Sequence, residues 1–183
     1  MDARYRIENP DEVFSPGLVV FRELVEQNLQ QMIAIAKDPK RLRPHCKTHK
    51  MQAIIERQLE CGIVKHKCAT IAEAEMLARA GATDVFLAYN LVGPNIARAV
   101  RFVETFPNVT FSVTADHPEP LEQLGAAMRR AGCRIGVMLD INSGQNRTGL
   151  RVGPEARQLY RQIAETEGLI PAGLHIYRSE DVV

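Results

Sequence analysis

At 183 residues, 45% hydrophobic and 25% charged, the chain carries enough apolar material for one globular domain with a real core. Twenty-three basic and 22 acidic side chains leave a net charge of +1. That balance gives no electrostatic footprint for nucleic acid or an anionic membrane, so the expected partner is a small molecule. No charged-then-apolar leader precedes Asp2 to Phe14 and no apolar run reaches the length of a membrane span, so the cytoplasm is the expected compartment.

Residues 1–16 are polar, interrupted by Pro10 and Pro16, and read as an irregular arm. Residues 17–177 read as the folded domain and 178–183 as a tail. Gly17 to Phe21 is predicted as a short strand. From Arg22 to Lys37 the apolar Leu24, Val25, Leu29, Met32, Ile33 and Ala36 recur at helical spacing, and Asp38-Pro39 stops the pattern. A strand from Leu42 to about Lys47 follows, then a helix from Met51 to Glu60 and a strand from Ile63 to Cys68. Thr70 and Glu73 form a capping box for the next helix, which Gly81 ends. Asp84 to Ala88 is a strand, and Gly93-Pro94 opens a helix with proline where a missing N–H costs nothing. A strand from Val109 to Val113 leads to a helix capped by Asp116 and Glu119 and ended by Gly132. Cys133 to Leu139 is a strongly apolar strand, Pro154 to Gly168 holds a helix, and Ala172 to Ile176 is the last strand.

Strand and helix alternate from Leu42 to Ile176 with no hairpin signal, which implies parallel pairing through right-handed crossovers. No Gly-x-Gly-x-x-Gly turn follows the first strand, and chemically interesting residues follow several strands, so a parallel (β/α) barrel is preferred to a doubly wound sheet. A complete barrel takes about 250 residues. The predicted strands supply about six of its eight units, so an incomplete barrel with an exposed sheet edge is expected, the product of truncation. Cysteines 46, 61, 68 and 133 are scattered and read as reduced thiols. His66-Lys67-Cys68 lacks a second pair at ligand spacing and reads as strand or core, so no metal ligand is assigned.

The stretch Arg43-Pro-His-Cys-Lys-Thr-His-Lys50 concentrates cations at the end of a predicted strand. In an extended conformation Arg43, His45, Lys47 and His49 share one face, with Lys47 between two imidazoles. Neighbouring positive charge and partial burial would disfavour its ammonium and leave an amine able to attack an aldehyde, which is Schiff-base chemistry. A solvated turn or a phosphate-binding loop has the same composition. Asp140-Ile-Asn-Ser-Gly-Gln-Asn-Arg147-Thr-Gly149 is rich in hydrogen-bonding residues after an apolar strand, as an active-site loop or an ordinary glycine-bearing turn would be. On the last strand His175 and Tyr177 share a face, opposite Leu174 and Ile176.

The octamer around Lys47 resembles the cofactor-lysine motif of the D-threonine aldolase and D-serine dehydratase family of pyridoxal-phosphate enzymes, whose fold type III barrel is shared with alanine racemase. Asn146-Arg147-Thr148-Gly149 is similar to that family's Arg-x-Gly segment, and Gly173-Leu-His175-Ile-Tyr177 to its Gly-Leu-His-x-Tyr segment. The segments 68–75 and 84–93 extend the similarity across roughly residues 16–177. The resemblance implies an alanine racemase-like barrel and pyridoxal 5'-phosphate held as an internal aldimine on Lys47. It also implies Arg147 at the cofactor's phenolic oxygen, Tyr177 and His175 near its pyridine ring, and His45 as a further cofactor contact. Tyr89 and Asn90 are expected to line the pocket.

What the resemblance implies about activity is a lyase of D-amino acids, by aldol cleavage or β-elimination. An alanine racemase-like isomerase, a non-catalytic pyridoxal-phosphate-binding homeostasis protein and an inactive fragment are the alternatives. A D-amino acid is the expected substrate, and a homodimer is compatible with the exposed edge. The family's phosphate cradle and its metal-bearing C-terminal β-domain lie beyond the equivalent of Tyr177, and Arg178-Ser-Glu does not match the family's continuation. The leading strand at Gly17 to Phe21 packs with that β-domain in the family, so its apolar side is expected to be uncovered here.

Overall fold

The computed structural model describes residues 5–177. The chain divides between Pro39 and Lys40 into two compact units. The first holds a short 3-10 turn, Pro10–Glu12, and the helix α1, Arg22–Ala36. The strand expected at Gly17 to Phe21 does not form. An extended segment becomes a strand only by pairing its N–H and C=O groups, and this one joins no ladder among the described residues. Its apolar side is uncovered, with Leu18 74% exposed. Lys37 ends α1 with a left-handed φ of 66°, its N–H donating to the Ile33 carbonyl.

The second unit is an alternating α/β array. After α2 (Gln52–Glu60) come β1 (Lys65–Cys68), α3 (Ile71–Arg79), β2 (Asp84–Asn90), α4 (Pro94–Thr105), β3 (Thr110–Ala115), α5 (Pro118–Arg130), β4 (Ile135–Ile141), α6 (Pro154–Glu165) and β5 (Leu169–Ile176). Among the described residues the strands form one sheet in the order β1-β2-β3-β4-β5, every pair parallel. The central strands are buried on both faces, as parallel strands under crossover helices must be: Val85, Phe86 and Leu87 on β2, Phe111 and Val113 on β3, Val137 and Leu139 on β4. The helices contribute Ile71, Ala74 and Leu77 (α3), Ala99 and Phe102 (α4), Leu121, Leu124 and Met128 (α5), and Leu159 and Ile163 (α6) to the same core. Among the described residues no helix is long and apolar enough to cross a membrane.

The sheet is strongly curved. In a flat sheet β1 and β5 would lie four spacings apart, about 19 Å. Here the Lys67 ammonium nitrogen on β1 lies 2.8 Å from His175 Nε2 on β5, a gap that two side chains close only if the strands bend round toward each other. That curvature is the wall of a (β/α) barrel, in which strand tilt and stagger bring distant strands to face across an interior.

Two local expectations fail for identifiable reasons. The predicted strand Leu42 to Lys47 is reduced to an isolated parallel bridge, His45 to Lys67, followed by a 3-10 turn, Cys46–Thr48. Pro44 has no N–H to give a ladder, and the Cys46 carbonyl accepts from the N–H groups of both His49 and Lys50, curling the chain. The sheet therefore has five strands where six were expected. At α5 the capping side chain is His117, whose Nδ1 accepts from the Glu119 N–H; Asp116 reaches elsewhere.

Candidate active site

A cavity of about 570 Å³ opens at the C-terminal ends of the strands, where a (β/α) barrel gathers its functional loops. Lys47 and His45 from the loop after Pro44, Lys67 of β1, Arg147 from the loop after β4, and His175 and Tyr177 from the end of β5 all line it. Tyr89, Asn90, Thr114, Asp140 and Thr148 complete its polar lining. The Tyr177 ring is the meeting point: Lys47 Nζ lies 6.0 Å from its centroid, Lys67 Nζ 5.4 Å and Arg147 Cζ 5.1 Å.

The Lys47 loop is held by side chains rather than by strand pairing. Arg43 grips Asp84 with two hydrogen bonds, of 2.6 and 2.9 Å, so it faces the sheet edge and leaves the face it was expected to share with Lys47. His49 likewise turns away, its Nδ1 accepting from the Met51 N–H at 3.1 Å. His45 stays at the cavity and accepts from the Lys47 N–H through Nδ1. Its burial, together with the Lys47 and Lys67 cations, pushes its pKa down to about 4.

Glu73 does more than cap. Thr70 accepts from the Glu73 N–H, as the capping box predicts, but the buried Glu73 carboxylate accepts from the Ala69 N–H, from the Cys46 thiol and from the Lys50 ammonium. It thus ties both ends of the 46–50 turn to α3. His45, Cys46 and Glu73 place metal-ligating atoms within 4.8 Å of one another. The donor set does not fit a divalent metal: Lys50 occupies the carboxylate, and burial followed by the Glu73 charge pushes the Cys46 thiol up to about 12, away from the thiolate a metal needs.

The Arg147 loop is closed by a parallel bridge between Ile141 and Leu150, with the Asn142 N–H donating to the Leu150 carbonyl. Asn142 Oδ1 accepts from the N–H groups of Gly144 and Asn146, shaping the turn. Gly149 is required: its φ is +87°, and a Cβ there would come within 2.7 Å of the Asn142 nitrogen. The Gly149 N–H donates to Asp116, whose other oxygen accepts from Asn90. Asp116, expected as a helix cap, is therefore the brace between β2 and the Arg147 loop.

On β5 the expected alternation holds. His175 faces inward while Leu174 and Ile176 are 58% and 57% exposed on the other side. Two residues absent from the sequence-derived site stand beside it. Asp140, register partner of His175 on β4, lies 2.7 Å from His175 Nδ1, and Lys67 lies on the imidazole's far side. Burial alone would raise the Asp140 carboxyl, but hydrogen bonding from His175 and Thr148 holds it below the usual carboxylate range. Burial, then the Lys47 charge, lowers Lys67. A charged residue on a barrel strand with its neighbours buried on the opposite face was the signal that could have marked Lys67.

A curved parallel sheet with its polar cavity at the strand ends defines a (β/α)-barrel domain. The chain belongs to the family described as alanine racemase, N-terminal domain, whose model matches residues 22–180. It is 32% identical over 166 residues to the D-threonine aldolase of Arthrobacter sp, covering 90% of this chain and 43% of that protein. It is 28% identical to the 3-hydroxy-D-aspartate aldolase of Paracoccus denitrificans, covering 93% of this chain and 44% of that protein. The crystal structure of D-threonine aldolase from Filomicrobium marinum superposes with a TM-score of 0.80 at 36% identity, over 88% of this chain and 43% of that one. The chain thus spans less than half the length of these relatives.

Proposed function

We propose that this chain is the barrel portion of a pyridoxal-phosphate-dependent lyase acting on D-amino acids, of the D-threonine aldolase or D-serine dehydratase type, with Lys47 as the covalent anchor of the cofactor. The observation that carries the reading is the convergence of Lys47, Lys67 and Arg147 on one aromatic ring, Tyr177, inside a cavity at the strand ends. Three cations around an aromatic wall suit a ligand that is itself aromatic and anionic, and 570 Å³ accommodates one of that size. The likeness to D-threonine aldolases supports this reaction class over amino-acid isomerisation.

When bound, pyridoxal phosphate supplies an electron sink for the carbon skeleton of the amino acid. The chain's own residues do the rest. Lys47 Nζ makes no hydrogen bond or ion pair among the described residues, so its amine is free to bond a carbonyl carbon. Arg147 brings a permanent guanidinium that stabilises an anionic phenolic oxygen. Tyr177 offers a flat apolar face, and His175, held between Asp140 and Lys67, keeps its imidazole ring in a defined orientation at the cavity wall. His45 stays neutral and so adds no charge beside the anchor. The scattered cysteines, none of them in a disulfide among the described residues, suit a reducing cytoplasm, and the exposed Leu174 and Ile176 of β5 suit pairing with a second copy.

The test is borohydride trapping: incubate the protein with pyridoxal phosphate, reduce, digest and locate the pyridoxyl group by mass spectrometry. A dominant adduct at Lys47, lost in Lys47→Ala and weakened with an altered absorption spectrum in Arg147→Ala, is expected. An unchanged imine in Lys47→Ala ends the proposal.

A further inference from the structure

We propose that Lys67 is a second functional amine of this cavity, the open end of a proton relay that runs through His175 to Asp140. It shares the cavity of the proposed cofactor site but rests on different residues.

The geometry fixes the direction of each hydrogen bond. An ionised carboxylate can only accept, so His175 donates its Nδ1–H to Asp140 Oδ1 across 2.7 Å. That leaves the lone pair on Nε2, 2.8 Å from Lys67 Nζ, and Lys67 must be the donor there. Lys67 lines the cavity, so the remaining positions on its nitrogen are available to a bound molecule. All three residues stand on strands, β1, β4 and β5, and Asp140 and His175 are direct register neighbours. Side chains anchored on strands hold such a chain better than loop residues do.

Burial is the first influence that disfavours the Lys67 ammonium, and the charges around it act in both directions. Lys47, Arg147 and Arg43 oppose the ammonium, Asp140 favours it, and the Phe86 and Tyr177 rings stand 5.7 and 5.4 Å from Nζ. The proton accounting closes without any other reactant. As an amine, Lys67 takes a proton from an O–H or acidic C–H group of the bound molecule, which keeps the bonding electron pair. The ammonium so formed passes a proton to His175 Nε2 along the existing hydrogen bond. The amine is restored, and the protonated imidazole faces the Asp140 carboxylate. Reversal returns the proton. Lys47, by contrast, has no such tether, so the two lysines divide the work: one free to bond covalently, one held to exchange protons.

Competitive acetylation with trace acetic anhydride, on the cofactor-free protein across a pH series with each lysine resolved by mass spectrometry, tests this directly. Lys67 is expected to lose its proton at lower pH than the exposed Lys37. Asp140→Asn should move it lower still, because Lys47, Arg147 and Arg43 are then unopposed, and Lys47→Met should move it back up. In a His175→Gln background, where the amide oxygen still accepts from Lys67 but carries no proton, the effect of Asp140→Asn should shrink. Lys67 titrating together with Lys37, or an Asp140→Asn shift of equal size with and without His175, overturns the relay. Should Asp140→Asn fail to fold, His175→Leu decides: it removes the acceptor 2.8 Å from Lys67 Nζ, so Lys67 should lose its proton at lower pH, and an unchanged titration overturns the relay. Borohydride trapping at Lys47 is a separate readout, so failure of the anchor and failure of the relay are distinguishable.

Discussion

The two edges of the sheet are built on opposite plans. β1 has four residues with alternate ones buried, and the loop carrying Lys47 is fastened over it. Arg43 holds Asp84, Lys67 donates its N–H to the Pro44 carbonyl, and Glu73 ties Cys46 and Lys50 to α3. β5 has eight residues, is held by β4 on one side, and shows Ile170, Leu174 and Ile176 to solvent. The lesson is that this site joins an anchored half, bearing the amine, to a half whose inward-facing His175 and Tyr177 depend on a single ladder.

Breaking the anchored edge should have the largest effect. Glu73→Ala strips the Ala69 N–H, the Cys46 thiol and Lys50 of their shared acceptor and leaves a cavity, and we expect a loss of about 3 kcal/mol in denaturant unfolding. Trapping of pyridoxal phosphate at Lys47 should weaken with it. An unfolding midpoint equal to that of the parent would show that the loop is fastened by other means.

A smaller effect should sharpen the comparison by pH. His66 on β1 is fully buried, and neither ring nitrogen makes a well-formed hydrogen bond, a weak approach to the Val64 backbone aside. Burial, then the Arg43 charge, pushes its pKa down to about 4 from 6.5. Because the unfolded chain takes up the proton first as the pH falls, this contribution is intact above the unfolded value and is lost on descending toward the folded one. The expected loss is roughly 2 kcal/mol by about pH 5. His66→Leu should flatten that limb, with hydrogen exchange quickening at β1 before β5 in the parent alone; a limb of equal slope in both proteins would assign the acid sensitivity elsewhere.

The smallest change in stability belongs to the open edge. Leu174→Lys with Ile176→Lys alters side chains already more than half exposed, so unfolding should move by no more than about 0.5 kcal/mol. Binding of an apolar-surface dye and self-association should nevertheless fall, because lysines blunt an uncovered edge. Dye binding as strong as before would mean that other apolar surface, such as Leu18, dominates.

Much of the site was legible because its signals are local. The run of cations around Lys47 is chemically unusual, Arg147 and Gly149 sit in a loop whose backbone needs glycine, and alternation alone puts His175 and Tyr177 on one face. Lys67, Asp140, Glu73 and Asp116 were missed or read only as caps. Each acts on a partner 23 to 108 residues away in sequence, beyond the reach of any periodicity. The strand expected through Lys47 failed for a related reason: its residues suit an extended chain, but Pro44 and the turn at Cys46 deny it a ladder.

The sequence by itself determined the parallel α/β alternation from α2 onward and the run of cations around Lys47, because hydrophobic period, caps and glycines act over a few residues. Only the tertiary structure decided which of two lysines is free and which is tethered. That choice depends on the curvature of the sheet, which brings the two edge strands face to face, and curvature is a property of the whole packed array.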